Sequence, residues 1–238
     1  MSLRIKEVAG KIERRILVGY GFEPEVITPL LPQGILPKIV NGKAVVGLCL
    51  IHFDYMRPTW IPLPTGIPFE SAAHRIGIQW ETQQGDIENG VYVAEQYTNS
   101  QIINTIGGKF FPGVQELSRF NVREDKDQIK LRIHNENREI KVDIKPSTEW
   151  KSSLFSDIEQ AAAFYKPPKG WSRTLDQEKV EGVEMRISNW NYENWEPNEI
   201  LSSFFEQFPE GSYSYDHTIV MRNLPVKYSA PNVSRDFK

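Results

Sequence analysis

The chain has 238 residues, of which 39% are hydrophobic and 25% charged, enough apolar mass for a globular protein with a sizeable core. A net charge of -3 and a pI near 5.9 give no electrostatic reason to expect nucleic acid or an anionic membrane surface as a partner. The single cysteine, Cys49, excludes an intramolecular disulfide, and no apolar run is long enough to span a bilayer.

The opening residues MSLRIKEVAGKIERR carry charge throughout and lack the apolar centre of a secretory signal, so a cytoplasmic setting is expected. Residues 1–14 read as a short polar helix or arm. ILVGYGF (16–22) reads as a strand and PEVITPLLP as a brief helix, with Pro24 in its first turn and Pro32 past its end. LPKIV and KAVVGLCLIHFDY flank Asn41-Gly42, which supplies the two positive-φ positions of a type I′ hairpin turn. The second of these strands is apolar on both faces from Ala44 to Phe53 and is expected at the centre of a sheet. RPTWIPLPTGIPF (57–69) holds four prolines and reads as a loop. It either overhangs a cavity with Trp60 and Phe69 or crosses the surface on these anchors. HRIGIQWET (74–82) alternates as a strand.

The stretch from Val91 to Phe120 is the organising segment. Val91, Val93 and Glu95 alternate with Tyr92, Ala94 and Gln96, a strand signature. Ser100 is placed to cap a short helix carrying Ile102, Ile103 and Ile106, and Gly107-Gly108 is expected to end it in the left-handed conformation. Pro112 and Gly113 then turn the chain into another strand. DQIKLRIHN (127–135) and REIKVDIKP (138–146) read as antiparallel strands with one wet face. LFSDIEQAAAFYK (154–166) is expected to be a helix capped by Ser156, KPPKGWSR a loop and VEGVEMRIS a strand. NWNYENWEPNE (189–199) is expected to open a helix near Pro197 that runs through EILSSFFEQF. HTIVMRNLPVKY closes the sheet, and residues 229–238 are expected to form a flexible tail. The pattern predicts one α+β domain over 1–238, built on a bent, mostly antiparallel sheet that closes into a barrel around the helix near residues 100–107.

No Gly-x-Gly-x-x-Gly, phosphate loop or Gly-x-Ser-x-Gly elbow is present, and His52, His74, His134 and His217 are scattered without metal spacing. Neither a metal nor a cofactor is expected.

The order of ILVGYGFEPEVITPLLPQGI, NGKAVVGLCLIHFDYMRP, FES, GVYVAEQYTN with a crossing helix, FFPG and HTIVMRNLPVKY resembles the acetoacetate decarboxylase-like superfamily, in particular its uncharacterised branch. The resemblance implies that superfamily's cone-like barrel and a small-molecule pocket. It also implies a pocket arginine, whose place falls near Gly21, and a pocket glutamate, matched by Glu70 in Glu70-Ser71. The decarboxylases form a Schiff base through a lysine in a pair that follows an aromatic-Pro step. Here the step is Phe111-Pro112 and the next residues are Gly113-Val114, which have no amine.

The candidate site is therefore a ligand cavity lined by Glu70, Arg75, Glu95, Tyr97, Phe111 and Gln115. Arg75 either grips a carboxylate bidentately or pairs with Glu70 at a strand end. Glu95 acts as acid or base if the Val91/Val93 face is the pocket, and is solvated if that face is outside. Lys109 is the one nearby alternative nucleophile, without an adjacent cation in sequence, and it could equally sit in solvent at the helix end. The expected function is binding, sensing or conversion of an organic acid without Schiff-base chemistry, by a monomer or homo-oligomer. The alternatives are a non-catalytic barrel holding an apolar ligand, or an interaction module using Trp190, Tyr192 and Trp195. Those three side chains are expected to pack as a lid rather than to form an exposed patch.

Overall fold

The computed structural model describes residues 5–62, 66–82, 84–107, 109, 112–175, 179–230 and, for the backbone alone, 234–236. Strand β1 (Glu7–Phe22) leads into helix α1 (Pro24–Ile27) and a 3-10 turn, Thr28–Leu30. Then come β2 (Ile35–Pro37), β3 (Ile39–Val40), β4 (Lys43–Pro58), β5 (Phe69–Glu81) and β6 (Ile87–Thr98). Helix α2 (Gln101–Ile106) follows, then β7 (Glu116–Leu117), β8 (Arg119–Glu124), β9 (Ile129–His134) and β10 (Glu139–Pro146). Helix α3 (Ile158–Tyr165) precedes β11 (Lys169–Arg173), β12 (Lys179–Ile187), β13 (Glu193–Ser202), β14 (Tyr213–Ser229) and β15 (Ser234–Asp236). The architecture is α+β, mostly strand with a few short helices, as expected. No helix among the described residues is long and apolar enough to cross a membrane.

Local chemistry accounts for several elements. Asn41 and Gly42 hold φ of 47° and 79° and join β3 to β4 in the hairpin the sequence predicts. The Ser100 side chain accepts a hydrogen bond from the Ile103 amide and starts α2. Of the Gly107-Gly108 pair expected to end this helix in the left-handed conformation, Gly108 lies outside the described residues and Gly107 has an ordinary φ of -59°. The value of Gly107 is spatial, because a Cβ there would lie 2.8 Å from the Gly113 carbonyl oxygen. Asp157, not Ser156, caps α3, accepting from the Gln160 amide.

Three segments differ from expectation for a common reason, the capture of backbone by neighbouring strands. Residues 7–14 are strand, held between β4 and β14. Lys169–Arg173 is a strand rather than a loop and runs parallel to β6. Residues 193–202 form β13 rather than a helix, between β10 and β14. Pro197 is tolerated there because the ladder shifts register beside it, between Asp143 and Ile144. In the expected tail, Ser234–Asp236 pairs with β12. Residues 231–233, 237 and 238 lie outside the described residues.

The ladder runs β15-β12-β11-β6-β5-β4-β1-β14-β13-β10-β9-β8, and a further pairing of β12 with β14 joins its two arms. Strands β12, β11, β6, β5, β4, β1 and β14 thus form a ring, antiparallel except where β6 meets β11. From β14 the sheet continues through β13, β10, β9 and β8, which fold over the outside of the ring. The outer layer and the ring share one core, with Ile16, Leu48, Ile76 and Tyr92 packed against Ile133, Val142 and Trp195. A second core fills the ring's inner face, where Leu17, Cys49, Ile51 and Phe53 meet Phe155 and Ala161 beside α3. Each fully buried large aliphatic side chain contributes about 1.5–3 kcal/mol, so both faces of the ring strands are stabilising.

Candidate functional site

The ring encloses a cavity of about 230 Å³. Every ring strand reaches it: β1 through Arg15, β4 through Cys49, β5 through Arg75, β6 through Val93, β11 through Gly170, β12 through Met185 and β14 through Tyr228. Ile103 of α2, Phe164 and Tyr165 of α3, and the turn carrying Pro112, Gly113 and Gln115 complete the wall. Gly113 has a φ of 99° and lies against Gln96 and Ser172, so the turn requires glycine on both conformational and spatial grounds. Ser71 bonds Gln115 at 3.3 Å and ties the turn to β5.

Most of the wall is apolar, and against it stand three guanidinium groups, those of Arg15, Arg57 and Arg75; Arg57 donates to the Ile61 carbonyl at the cavity rim, which leaves Arg15 and Arg75 further in. Arg15 is 1% exposed, and its Nε and Nη1 have no hydrogen-bond partner. Its guanidinium lies 5.6 Å from the centre of the Trp190 ring, a cation–π contact that offsets only part of the desolvation. Arg75 also has a buried, unpartnered Nε. Neither arginine forms an ion pair with a described carboxylate. A buried charge without a counter-ion costs several kcal/mol, so the cavity is electrostatically incomplete and is complementary to an anion. Tyr228 is in reach of both arginines; burial pushes its phenol up to about 12, and the guanidinium charges oppose the rise.

A bulge decides which β6 residues face the cavity. In the pairing of β5 with β6, Arg75 is opposite Val93 but His74 is opposite Glu95, which leaves Ala94 as the extra residue. Val91 and Val93 line the cavity, and beyond the bulge Gln96 does so, while Glu95 turns to the outer face. Strict alternation places Glu95 on the cavity side, and the bulge overturns that.

The expected site residues therefore separate. Arg75 and Gln115 are on the cavity wall. Glu95 is on the other face, bound to Arg138 at 2.9 and 2.6 Å and to the Tyr97 hydroxyl. Burial would raise its pKa, but the bonds from Arg138 and Tyr97 outweigh burial and lower it. Tyr97 is buried beside His74, which bonds Ser202 at 2.8 Å and is pushed down to about 3 by burial, with Glu95 opposing. Glu95 instead borders a second recess of about 350 Å³ on this outer side, with Arg173 and Gln207. Glu70 is also on the outer face, paired with Arg14 at 2.7 Å and close to His52 without a hydrogen bond to it, so it does not pair with Arg75. Lys109 is exposed and is not part of the wall. Phe111 lies outside the described residues. Gly21 packs beside Leu154 and Lys43, and the arginine that reaches the cavity from β1 is Arg15, six positions earlier. Trp190 and Tyr192 join the inner core while Trp195 is buried in the outer one, so the three form no common patch.

Reasoning from sequence missed Arg15, Tyr165 and the pair Asp216-His217. Reading residues 7–14 as strand would have put Arg15 in phase with Leu17. Tyr165 and the Asp-His pair carry no spacing signal, because β14 and α3 meet only in the fold. Among the described residues no group of three metal-ligating side chains comes together.

The family model of DUF2071, an uncharacterized conserved protein, matches residues 11–191. No curated protein matches the sequence. Among solved structures, the acetoacetate decarboxylase of Legionella pneumophila is similar in fold, with a TM-score of 0.71 at 8% identity over 100% of this chain and 90% of that one. An acetoacetate decarboxylase-like enzyme from Sphingomonas wittichii superposes with a TM-score of 0.64 at 11% identity, over 98% and 94% of the two chains. An enduracididine biosynthesis enzyme complexed with pyruvate does so with a TM-score of 0.59 at 8% identity, over 99% and 91%.

Proposed function

The chain belongs to the DUF2071 family, and from that premise we propose that it binds a small organic acid inside the ring, with the carboxylate on Arg15 and Arg75 and the rest of the molecule against the apolar wall. The observation that carries this reading is the unpartnered, buried Arg15 guanidinium. Guanidinium groups suit carboxylates because their N–H groups match the two oxygens in one plane. The similarly folded enduracididine biosynthesis enzyme complexed with pyruvate supports an anion of this class. No lysine is among the described wall residues, which supports a site without imine chemistry. A non-catalytic barrel for a neutral apolar ligand would use the same wall but leave both arginines unused.

The test compares pyruvate, hexanoate and hexanol by calorimetry and thermal shift. Hexanoate and pyruvate are expected to bind and to raise Tm, since a ligand selective for the folded state stabilises it. Arg15→Met is expected to weaken hexanoate by about thirtyfold or more, the cost of removing one partner of a buried charged contact. Hexanol binding as tightly as hexanoate would overturn the carboxylate assignment and leave the apolar-ligand reading.

A further inference from the structure

At one edge of the cavity α3 ends in Tyr165, whose hydroxyl lies 2.8 Å from His217 Nε2. The other ring nitrogen, Nδ1, lies 2.7 Å from Asp216 Oδ2. Burial would raise the Asp216 carboxyl, but His217 and the hydroxyls of Ser152 and Ser153 outweigh it and hold the group at about 2, so it is ionised and only accepts. Nδ1 therefore donates to the carboxylate, and in the neutral ring Nε2 is the acceptor that faces the Tyr165 hydroxyl.

Adjacent strand residues normally face opposite sides of a sheet. Here the pairing of β1 with β14 skips Asp216, Gly19 facing His217 and Tyr20 facing Tyr215, so a bulge brings the two side chains together. Asp216 is fixed further by the amides of Ser153 at 2.7 Å and Leu154 at 3.2 Å. The imidazole lies over Gly19, where a Cβ would come within 2.1 Å of it, so glycine there is what admits the ring. Phe155 and Trp150 flank the imidazole, which is 2% exposed. The phenol is within electrostatic reach of Arg15 and Cys49, both on the cavity wall. A hydroxyl–imidazole–carboxylate chain thus ends beside Arg15.

We propose that Tyr165 is a proton-transfer group for an oxo acid held in the cavity, passing its own proton to His217 while taking one from the carbon next to the ligand's carbonyl. The proposal rests on the carboxylate reading above. The C–H bond breaks, and its electron pair forms the carbon–carbon double bond of an enolate whose oxygen carries the charge. The proton goes to the Tyr165 oxygen as the phenolic proton moves to His217 Nε2. Asp216 stabilises the imidazolium and positions it, and the guanidinium groups stabilise the enolate. Reversal returns a proton to carbon, so no oxidant or second substrate is needed. Burial and Asp216 push the phenol's pKa up, which makes a resting phenolate unfavourable and favours transfer in one concerted step.

The experiment follows deuterium uptake into the pyruvate methyl group in heavy water by NMR, with the full chain and with pyruvate binding measured in parallel. The wild-type protein is expected to speed exchange above the buffer rate. Tyr165→Phe is expected to slow it by about a hundredfold or more while still binding pyruvate and melting cooperatively. His217→Gln is expected to lose exchange in the same way, and Arg15→Met to lose binding and exchange together. Pyruvate that binds the wild type without faster exchange overturns the proposal and leaves the binding reading intact, as does Tyr165→Phe exchanging at the wild-type rate. Pyruvate that does not bind the wild type at all overturns both.

Discussion

Arg14 and Arg15 follow one another along β1 and leave it on opposite faces. Arg14 points to the outer face, where Glu70 lies 2.7 Å and Glu124 2.6 Å from its terminal nitrogens. Arg15 points into the ring and meets a tryptophan face and a cavity. Both are almost wholly buried, at 4% and 1% exposure, so burial does not separate them. Pairing does. The same division holds along β5 and β6 for ion pairs. His74, Glu95, Tyr97 and Arg138 bind one another on the outer face, while Arg75 on the inner one has no described carboxylate partner; a bare Nε by itself does not separate the faces, since Arg14 has one too. Charges satisfied within the chain hold the outer layer to the ring, and the inner-face arginines without a described carboxylate partner are the basis of the proposed anion site.

Substitution of the two arginines gives the largest expected effect and can break this comparison. Arg14→Met leaves Glu70 in a buried site without its guanidinium partner and is expected to cost about 3–5 kcal/mol in urea unfolding. Arg15→Met removes an unpaired buried charge and keeps most of the apolar stem, so it is expected to leave stability unchanged or raise it. Equal losses in the two variants would mean that Arg15 has an internal partner and would remove the basis of the anion site.

The outer network can be sharpened by pH. Burial, opposed by Glu95, takes His74 down to about 3 in the folded protein from its ordinary 6.5. Between these values the unfolded chain binds a proton that the folded one refuses, so stability falls as pH falls. The contribution is complete above 6.5 and declines through the window down to about 3, with a slope of up to about 1.4 kcal/mol per pH unit. Unfolding free energy is expected to drop by about 2 kcal/mol from this group between pH 6.5 and about pH 5. His74→Gln, which keeps a donor for Ser202, is expected to flatten that part of the profile. Asp216 acts in a lower window, because its pKa is depressed from 3.8 to about 2 and its contribution is lost only as pH falls through that range. A slope above pH 5 that survives in His74→Gln would assign it elsewhere.

Much of the fold was legible because it rests on local chemistry. The Asn41-Gly42 turn, the alternation of Ile129, Leu131 and Ile133, and the Ser100 cap each have a cause within a few residues of chain. The order of motifs also pointed to the decarboxylase-like fold. The site was legible only in part, because its selection depends on strand phase. Arg75 and Gln115 were in view, but the bulge at Ala94 moved Glu95 across the sheet and the one at Asp216 joined two residues that alternation separates. Neither bulged strand carries a glycine or proline at its extra residue, and Gly19, which stands on the opposite strand beside the bulge at Asp216, gives no sign of it in sequence. β13 was missed because its backbone is satisfied by β10 and β14, partners distant in sequence, which override the helical signal of Pro197 and the residues after it.

The smallest expected effect concerns Lys109. An imine-forming lysine must be a free amine inside the cavity, deprived of water and commonly set beside another cation. Lys109 is exposed, outside the wall, and follows α2 with its amide bonded to the Ile106 carbonyl. The place at which the resemblance puts the lysine pair is Gly113-Val114, where Gly113 meets Gln96 and a side chain could not enter without strain. Lys109→Met is therefore expected to change stability by less than about 0.5 kcal/mol and to leave hexanoate binding as it is. Borohydride added with acetoacetate is expected to leave the intact mass of the wild-type protein unchanged. A stoichiometric adduct that maps to Lys109 would bring that side chain into the cavity in a form not seen here, and would make the exposed lysine, rather than the buried arginines, the centre of the chemistry.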